Sequence, residues 1–414
     1  TGGAKWREGQ ASGGSSGILG NGHAERCYPG AVQQLPVVRQ HSRTIGRRGM
    51  PGPRRPRAIG DDQVMRGSPR SLATEYDVAL LDLDGVVYLG EEAIPGVPAG
   101  LASAREQGMR LAFVTNNASR TPDQVAALLV RLNVPARPSD VITSSHAAAH
   151  YLADRLPAGA PVLVLGTTGL INALQERGLT PVFSADDSPA AVVQGYSPDL
   201  DWHALAEGMV AIRRGAQWIA TNLDPTVPSP RGPLPGNGAL VAALRHASGV
   251  TPVSTGKPDP TMHAESVQRS GARHPLVIGD RLDTDIEGAR RADCASLLVL
   301  TGVASAADLL IAPPIHRPDY LGRDVTAVLV PHASVDRSED QVQCGSAVVR
   351  QHRDGLLVSA GAAAGGGDGL DPLRALVVAA WALSDSARPV SEVIAGDQAA
   401  RGLLTELGID VRAD

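Results

Sequence analysis

The stretch VALLDLDGVVYLG, residues 78–90, sets two carboxylates directly after an apolar run. Residues two apart on a strand point to the same side, so Asp82 and Asp84 can face one cavity, and Gly85 lets the chain turn sharply. Two close carboxylates repel each other unless a cation or a shared proton lies between them. A hard cation such as Mg²⁺, which takes oxygen ligands, would use both acids. A simple turn or a calcium loop is equally compatible with this motif taken alone.

Beyond this stretch, apolar runs of strand length alternate with amphipathic segments of helix length. RLAFVTNN (110–117) is followed by TPDQVAALLVRLNV (121–134), and PLVIGD (275–280) repeats the strand pattern. This alternation predicts an α/β fold in which a parallel sheet carries helices on both faces. Ligands of such sheets bind beyond the carboxyl ends of the strands. We therefore expect the polar residues that follow the strands to form the site.

Two of these strand ends carry further polar motifs. Thr115, Asn116 and Asn117 offer a hydroxyl and backbone N–H groups that can hold anionic oxygens, although an asparagine turn or a helix cap explains them as well. Asp280 ends a buried run, and Asp285 follows at the entry to a helix. Asp285 alone could be a favourable charge at a helix N-terminus, but beside Asp280 it makes a second carboxylate pair for a metal.

The segment STGKPDP (254–260) fixes Lys257 between Gly256 and Pro258. It is no Walker A lysine, because Thr251 stands where that motif needs glycine and Pro258 where it needs serine or threonine. A solvated surface charge is the usual role of a lone lysine. A lysine held in a rigid turn can also neutralise a phosphate or a phosphorylated aspartate.

The four motifs in this order resemble those of the haloacid dehalogenase (HAD) superfamily. The segments DLDGVVY, TNNASR, TGKP and GDRLDTDIEGA are similar to the motifs of the class IIA, NagD-type phosphatases. The resemblance covers about residues 75–325. It implies a Rossmann-like HAD core and Mg²⁺-dependent hydrolysis of small phosphomonoesters. Asp84 fits this reading, since the phosphatases of the superfamily have an acid at this position and its dehalogenases and ion pumps lack one.

The resemblance also implies a role for each motif residue. Asp82 would attack phosphorus and form an aspartyl-phosphate, Asp84 would act as general acid and then as general base, and Lys257 would offset the charge of the transition state. The implied Mg²⁺ ligands are Asp82, the backbone carbonyl of Asp84, Asp280 and Asp285, the last as a ligand or an orienting residue. The residues expected to bind substrate are Gly85, Thr115, Asn116, Asn117 and Asp224.

Four segments are predicted from composition, pattern and the resemblance. The HAD core should comprise residues 73–154 and 251–325, and an inserted α/β cap domain should occupy 155–250. Residues 326–414 should form a small α/β module like part of an acetyltransferase, but without the coenzyme A loop that acetyl transfer needs. Residues 1–72 mix Gly, Ser, Pro and Arg without a period, so we expect them to be disordered or to come from an over-extended translation start.

The cap decides the substrate in the class IIA enzymes. The loop at 221–238 faces the site in relatives, so Asp224 and Arg231 are candidate substrate contacts, and a solvated Pro/Gly-rich loop is equally compatible. Members with a similar C-terminal region act on glycerol 3-phosphate, which is the expected substrate here. Phosphoglycolate or a sugar phosphate is the alternative, as is a ligand-sensing regulatory protein with a secondary HAD core. His146 and His150, one helical turn apart, are expected on a helix surface rather than in a metal site.

Composition limits the partners. Residues 1–72 hold 12 Lys and Arg against 4 Asp and Glu, a net charge of +8. Since the whole chain has a net charge of −5, residues 73–414 carry −13. A folded part this acidic argues against nucleic acid as a partner. The three cysteines form no metal-ligand spacing, and a reducing compartment is expected. No apolar run reaches the ~18 residues of a membrane span. We expect a cytoplasmic enzyme without a membrane partner, and a homodimer is compatible with the sequence.

Overall fold

The apolar runs predicted from the sequence form the strands of three large sheets, and the described residues also form two short two-stranded sheets. The computed structural model describes residues 64–227, 231–353, 355–361, 368–388 and 390–413. The strands are β1 (Val78–Leu81), β2 (Tyr88–Leu89), β3 (Glu92–Ala93), β4 (Arg110–Thr115), β5 (Val141–Thr143), β6 (Pro161–Leu165), β7 (Thr180–Val182), β8 (Ala191–Gln194), β9 (Gln217–Ala220), β10 (Thr226–Val227), β11 (Leu234–Pro235), β12 (Val253–Ser254), β13 (Pro275–Gly279), β14 (Ala295–Val299), β15 (Tyr320–Gly322), β16 (Val335–Arg337), β17 (Gln341–Cys344), β18 (Ala347–His352), β19 (Gly355–Ser359), β20 (Val393–Ala395) and β21 (Arg412–Ala413).

Helices connect most of these strands. The α-helices are α1 (Leu72–Glu75), α2 (Val97–Glu106), α3 (Pro122–Arg131), α4 (Ser144–Ala153), α5 (Thr168–Glu176), α6 (Trp202–Arg213), α7 (Asn237–Ser248), α8 (Pro260–Ser270), α9 (Glu287–Arg291), α10 (Ala306–Leu310), α11 (Asp371–Asp385) and α12 (Gln398–Glu406). Short 3₁₀ turns occupy Pro138–Asp140, Ala185–Asp187, Pro314–His316 and Val325–Leu329, and Leu282–Ile286 forms a π-helical turn. None of the described helices is long and apolar enough to cross a bilayer.

The core is a six-stranded parallel sheet in the order β15-β14-β13-β1-β4-β5. Strand β1 lies in the middle, is buried along its whole length, and pairs with β13 on one side and β4 on the other. Because Leu81 is in register with both Ile278 and Phe113, the residues that follow these strands emerge side by side. Asp82, Asn116 and Asp280 therefore stand at one edge of the sheet, as the α/β prediction requires.

A second parallel sheet, in the order β12-β9-β8-β6-β7, forms the cap together with α5, α6 and α7. The chain enters the cap after α4 and returns to the core between β12 and α8. Since β12 pairs with β9, the cap sheet runs to Ser254, beyond the residue 250 expected from the sequence. The returning segment is short, because α8 begins with the N-cap Asp259, whose side chain accepts a hydrogen bond from the backbone N–H of Thr261.

The C-terminal module is a mixed sheet, β16-β17-β18-β19-β20-β21, that packs on α11 and α12. Its apolar core is continuous with one face of the core domain, where Leu309 and Leu321 contribute to the same cluster as Leu376 and Trp381. The indole N–H of Trp381 donates to the carbonyl of Leu309 at 2.8 Å. Module and core therefore share one hydrophobic interior.

The segment before α1 differs from the expected disorder of residues 1–72. Residues 1–63 lie outside the described part of the chain, but Met65 is 2% exposed and belongs to the cluster shared by core and module. Arg66 donates its backbone N–H to the carbonyl of Asp319, and Ser68 forms a backbone bridge with His332. This segment is ordered by contacts with residues that are distant in sequence. Such contacts leave no strand or helix period from which the order could be predicted.

Candidate active site

Three carboxylates meet at the edge of the core sheet where β1 and β13 end. One oxygen each from Asp82, Asp280 and Asp285 lies within 4.8 Å of the others. The backbone N–H of Asp82 still donates to the carbonyl of Ile278 at 2.9 Å, so the ladder positions Asp82 beside Asp280. Asp285 comes from the π-helical turn, where its carboxylate accepts from the backbone N–H of Arg281 at 3.2 Å. The sequence motifs predicted this meeting of three acids.

Asp280 is held on one side and open on the other. Its Oδ2 accepts from the backbone N–H of Val303 at 2.7 Å, whereas its buried Oδ1 has no hydrogen-bond partner among the described residues. Two glycines permit this position, since a Cβ would lie 1.9 Å from Oδ2 at Gly302 and 2.4 Å from it at Gly85. Gly85 also has φ +84°, which favours glycine. The cradle around Asp280 thus depends on two positions without side chains.

This arrangement fits a hard divalent cation. Oxygen ligands from several carboxylates are what Mg²⁺ takes in proteins, and a buried carboxylate oxygen without a partner is costly unless a cation uses it. Within the part of the chain that the structure describes, Asp82, Asp280 and Asp285 are the one group of three ligand-type side chains close enough for a metal ion.

Lys257 completes the cluster. Its ammonium group donates to Oδ1 of Asp82 at 2.5 Å and to Oδ1 of Asp285 at 2.7 Å, and only 4% of its side chain is exposed. Burial opposes the charge on the lysine, but the two carboxylates outweigh it and raise the pKa of Lys257. Lys257 is therefore a fixed cation beside the carboxylate at the end of β1.

The carboxylates are crowded. Burial, together with the charges of Asp285 and Asp280, raises the pKa of Asp82 to about 8 against the opposing effect of Lys257. Burial and the charge of Asp285 likewise raise the pKa of Asp280 to about 6. One ammonium group does not balance three carboxylates, and an additional cation would relieve their repulsion.

Asp84 lies outside this cluster, three residues after the end of β1, and its side chain is exposed. Desolvation by the surrounding protein raises the pKa of Asp84, and the positive charges of Arg120 and Lys257 partly offset this increase. The carboxyl is thus poised to hold a proton more readily than an ordinary aspartate. Arg120 was not among the predicted site residues, although it lies only three residues after Asn117.

The motif that follows β4 is divided between two tasks. The Thr115 hydroxyl oxygen, nearly buried, accepts from the backbone N–H of Asn117 at 3.1 Å, which leaves its own O–H as a donor. The Asn117 side chain is used locally, since its Oδ1 accepts from both the N–H and the hydroxyl of Ser119. The Asn116 side chain faces the cap and the Lys257 backbone instead.

The cap places Asp224 beside Asn116, which follows β4 of the core. Both carboxylate oxygens of Asp224 lie 3.4 Å from Nδ2 of Asn116, and burial raises the pKa of Asp224 while Lys257 opposes the shift. Arg231, the other candidate on this loop, has an exposed side chain, and residues 228–230 lie outside the described part of the chain. Asp224 is therefore placed against Asn116 of the core.

The expectation that His146 lies on a helix surface is wrong. His146 is 3% exposed, and its Nδ1 accepts from the backbone N–H of Thr143 at 3.2 Å. His150 is half-buried, with Nδ1 3.0 Å from a carboxylate oxygen of Glu265. Helix α4 is covered by α5 of the cap and by α8, which its sequence alone could not reveal.

Two site residues were missed because they belong to no recognised motif. Gly302 gives Asp280 its space, and the neighbouring Thr301 donates its hydroxyl to the carbonyl of Gly85 at 2.5 Å. Both follow β14, a fourth strand that ends at the same edge of the sheet. The sequence could have indicated them only by their position directly after a predicted strand, because neither residue carries a charged or metal-binding side chain.

Known phosphatases match the chain over its core and beyond it. Residues 79–180 match the profile of haloacid dehalogenase-like hydrolases, and residues 254–328 that of HAD-hydrolase-like proteins. D-glycerol 3-phosphate phosphatase of Mycobacterium tuberculosis is 45% identical over 341 residues, which are 81% of this chain and 95% of the relative. Acid sugar phosphatase of Staphylococcus aureus is 35% identical over 237 residues, 57% of this chain and 90% of that relative.

A solved structure extends the likeness to the fold. The crystal structure of glycerol phosphate phosphatase from Mycobacterium tuberculosis in complex with magnesium is similar with a TM-score of 0.72 at 43% identity. The similarity covers 82% of this chain and 99% of that chain. Since the share of this chain exceeds the core and cap together, the C-terminal module belongs to the matched architecture.

Proposed function

Because the chain belongs to the haloacid dehalogenase-like hydrolases, we propose that its active site hydrolyses glycerol 3-phosphate through a covalent phosphate on Asp82. The family prediction made from the four motifs is confirmed, as is the prediction of a Mg²⁺-dependent phosphatase. One observation supports the covalent mechanism most directly: the Lys257 ammonium bridges Asp82 and Asp285 beside the open oxygen of Asp280. The substrate is proposed from the relative that is 45% identical to 81% of this chain.

The first step transfers the phosphoryl group to Asp82. A carboxylate oxygen of Asp82 forms a bond to phosphorus while the bond from phosphorus to the glycerol oxygen breaks, and that electron pair stays on the alkoxide. Asp84 gives its proton to the alkoxide, so glycerol leaves as a neutral alcohol. The raised pKa of Asp84 favours the protonated form that this step requires.

The second step returns Asp82 to its starting state. Asp84, now a carboxylate, takes a proton from a water molecule whose oxygen attacks phosphorus. The bond between phosphorus and Asp82 breaks, inorganic phosphate leaves, and Asp84 is protonated again. The Thr115 hydroxyl can donate to a phosphoryl oxygen throughout, because its acceptor side is already occupied by the N–H of Asn117.

Charge balance is shared between the protein and the cation. Asp82, Asp280 and Asp285, with the backbone carbonyl of Asp84, would hold Mg²⁺, which when bound neutralises part of the phosphate charge. Lys257 supplies a fixed positive charge at the nucleophile, which the transition state needs as negative charge spreads over the phosphoryl oxygens. Gly85 keeps the space beside Asp280 free of a side chain.

A panel of phosphomonoesters tests both reaction and substrate. Purified protein would be assayed with glycerol 3-phosphate, 2-phosphoglycolate and a sugar phosphate, each with Mg²⁺ and with EDTA. We expect the highest kcat/KM for glycerol 3-phosphate, no turnover in EDTA, and a loss of roughly 10⁴-fold in Asp82→Asn. A sugar phosphate as best substrate would replace the proposed substrate, and turnover by Asp82→Asn would end the covalent mechanism.

Location and assembly stay predictions. We propose a cytoplasmic enzyme because Cys294 and Cys344 are both buried free thiols, as a reducing compartment allows. A homodimer is a further proposal, and size-exclusion chromatography with light scattering would decide it.

A further inference from the structure

Lys257 lies in the short segment that leads from the cap back to the core. The chain returns from the cap through Thr255, Gly256 and Lys257, between the end of β12 and the N-cap of α8. Thr255 still belongs to the cap, since its N–H donates to the carbonyl of Ala220 at 3.0 Å. Lys257 is therefore linked to the cap through Thr255, two residues before it, and to the core acids by its ammonium group.

A single side chain pairs with the Lys257 backbone. Oδ1 of Asn116 accepts from the N–H of Lys257 at 2.8 Å, and Nδ2 of Asn116 donates to the carbonyl of Lys257 at 3.2 Å. The amide thus satisfies both backbone groups, as a neighbouring strand would. Gly256 makes the approach possible, because a Cβ there would lie 2.9 Å from Oδ1 of Asn116 and 2.3 Å from the carbonyl of Thr221.

Asn116 also meets the cap loop and the start of α4. Its backbone carbonyl accepts from Nδ2 of Asn222 at 2.7 Å and from the hydroxyl of Ser144 at 2.6 Å. Its Nδ2 faces the carboxylate of Asp224 at 3.4 Å. One residue at the end of β4 therefore contacts both the loop that carries the cap candidates and the segment that carries the lysine.

We infer that the Asn116 side chain is a positioning residue, which sets Lys257 between Asp82 and Asp285 and joins this placement to the seating of the cap loop. The inference rests on the proposed function for its kinetic consequence, though not for its structural one. This role of the side chain is separate from the expected binding of a phosphoryl oxygen by the Asn116 backbone, because the side-chain oxygen and N–H donors already face Lys257 and Asp224. Removing the amide frees the lysine backbone without touching any of the three acids.

The composition of the chain makes this directly measurable. The sequence contains two lysines, Lys5 and Lys257. Amine acylation followed by peptide mass spectrometry can therefore report the reactivity of Lys257, expressed relative to Lys5 in the same molecule. A buried ammonium paired with two carboxylates reacts slowly, and a displaced one reacts faster.

We expect Asn116→Ala to raise the relative acylation rate of Lys257 several-fold and to lower kcat roughly 100-fold with a smaller change in KM. Asn222→Ala, which removes only the cap side of the contact, should move both readouts in the same direction and less far. Asn172→Ala, an exposed asparagine on α5, is the control and should match the wild type in both.

Two outcomes would overturn the inference. One is unchanged acylation of Lys257 in both Asn116→Ala and Asn222→Ala, with circular dichroism showing folded proteins. The other is a rise in KM at constant kcat in Asn116→Ala, which indicates a substrate contact. If the protein proves not to hydrolyse glycerol 3-phosphate, the acylation rates still decide whether Asn116 positions the lysine.

Discussion

At the scale of single residues, the site depends on two glycines as much as on its acids. Asp280 has room for its carboxylate only because Gly85 and Gly302 have no Cβ. The acids themselves and Lys257 could be predicted from local motifs, since each follows a recognisable strand or turn. Gly302 could not, because its function is a contact with a residue 22 positions earlier in the chain, and nothing in the neighbouring sequence encodes that contact.

Gly302→Ala should impair the metal site while leaving the fold intact. The new methyl group would lie 1.9 Å from Oδ2 of Asp280 and must displace that carboxylate. We expect roughly a 100-fold loss of activity and a higher Mg²⁺ concentration for half-maximal rate. Gly402→Ala is the matched control, since a Cβ there meets nothing within 4 Å on helix α12. Equal Mg²⁺ dependence in the two variants would contradict the cradle.

At the scale of elements, buried ion pairs join parts that are far apart in sequence. Arg317, 2% exposed, donates through both terminal nitrogens to the carboxylate of Asp385 at 2.7 Å, which links the core to the end of α11. Its Nε donates to the carbonyl of Ala312, and its guanidinium lies over the ring of Trp381. The hydrogen bonds from Arg317 hold the pKa of Asp385 below its usual value.

Asp385→Asn should destabilise the protein in a pH-dependent way. The wild-type pair stabilises the fold above the unfolded pKa of aspartate, near 4, and this contribution is lost as pH falls through the lower folded pKa. We expect the variant to lose about 3 kcal/mol at pH 7, because Arg317 remains buried without its partner. The difference should shrink toward pH 3 in urea unfolding, and a constant difference across this range would be inconsistent with the pair. Asp340→Asn, at an exposed position, serves as control.

The junction of cap and core has its own buried acid. Glu265 on α8 has no exposed side-chain surface, and its Oε1 accepts from Arg177 at 2.7 Å and from Arg269 at 2.8 Å. Arg177 ends α5 of the cap, so this pair joins a helix of the cap to a helix of the core. Sequence patterns mark both helices as amphipathic but do not reveal which charged residues meet between them.

Glu265→Gln should destabilise the protein by about 2 kcal/mol, because two half-buried guanidinium groups would lose the buried carboxylate that they share. The comparison is Glu406→Gln, which removes a surface pair with Arg323 at 2.6 Å and should cost at most about 1 kcal/mol. Both values come from denaturant unfolding at one pH. Similar losses in the two variants would show that the junction gains nothing from its burial.

At the scale of the whole molecule, the C-terminal module is part of one hydrophobic interior. Sequence patterns predicted its small sheet and helix, but a pattern cannot show which apolar face is covered by another domain. In the structure Leu309, Leu321 and Met65 lie in the same cluster as Leu376 and Trp381. The module therefore covers apolar surface of the HAD core and also orders the segment before α1.

Deleting residues 330–414 should expose this surface and cause aggregation. We expect little soluble protein, and a lower Tm for whatever remains, since large exposed apolar patches drive association. Expression in soluble form, followed by differential scanning calorimetry, measures this. A soluble deletion variant with the wild-type Tm would mean that core and module are independent. As a control, Trp381→Phe keeps the module and most of its packing, and it should remain soluble.

The short return from the cap constrains how such enzymes can be recombined. Two residues separate Ser254, the last residue of the cap sheet, from Lys257, and they span at most ~11 Å from Cα to Cα over three peptide bonds. A cap exchanged between relatives at the expected boundary near residue 250 would leave its own final strand behind. A chimaera should therefore carry the donor sequence beyond Ser254, and a junction after Lys257 would include Thr255, Gly256 and the lysine. With that junction, the exchanged unit is the cap together with one catalytic residue.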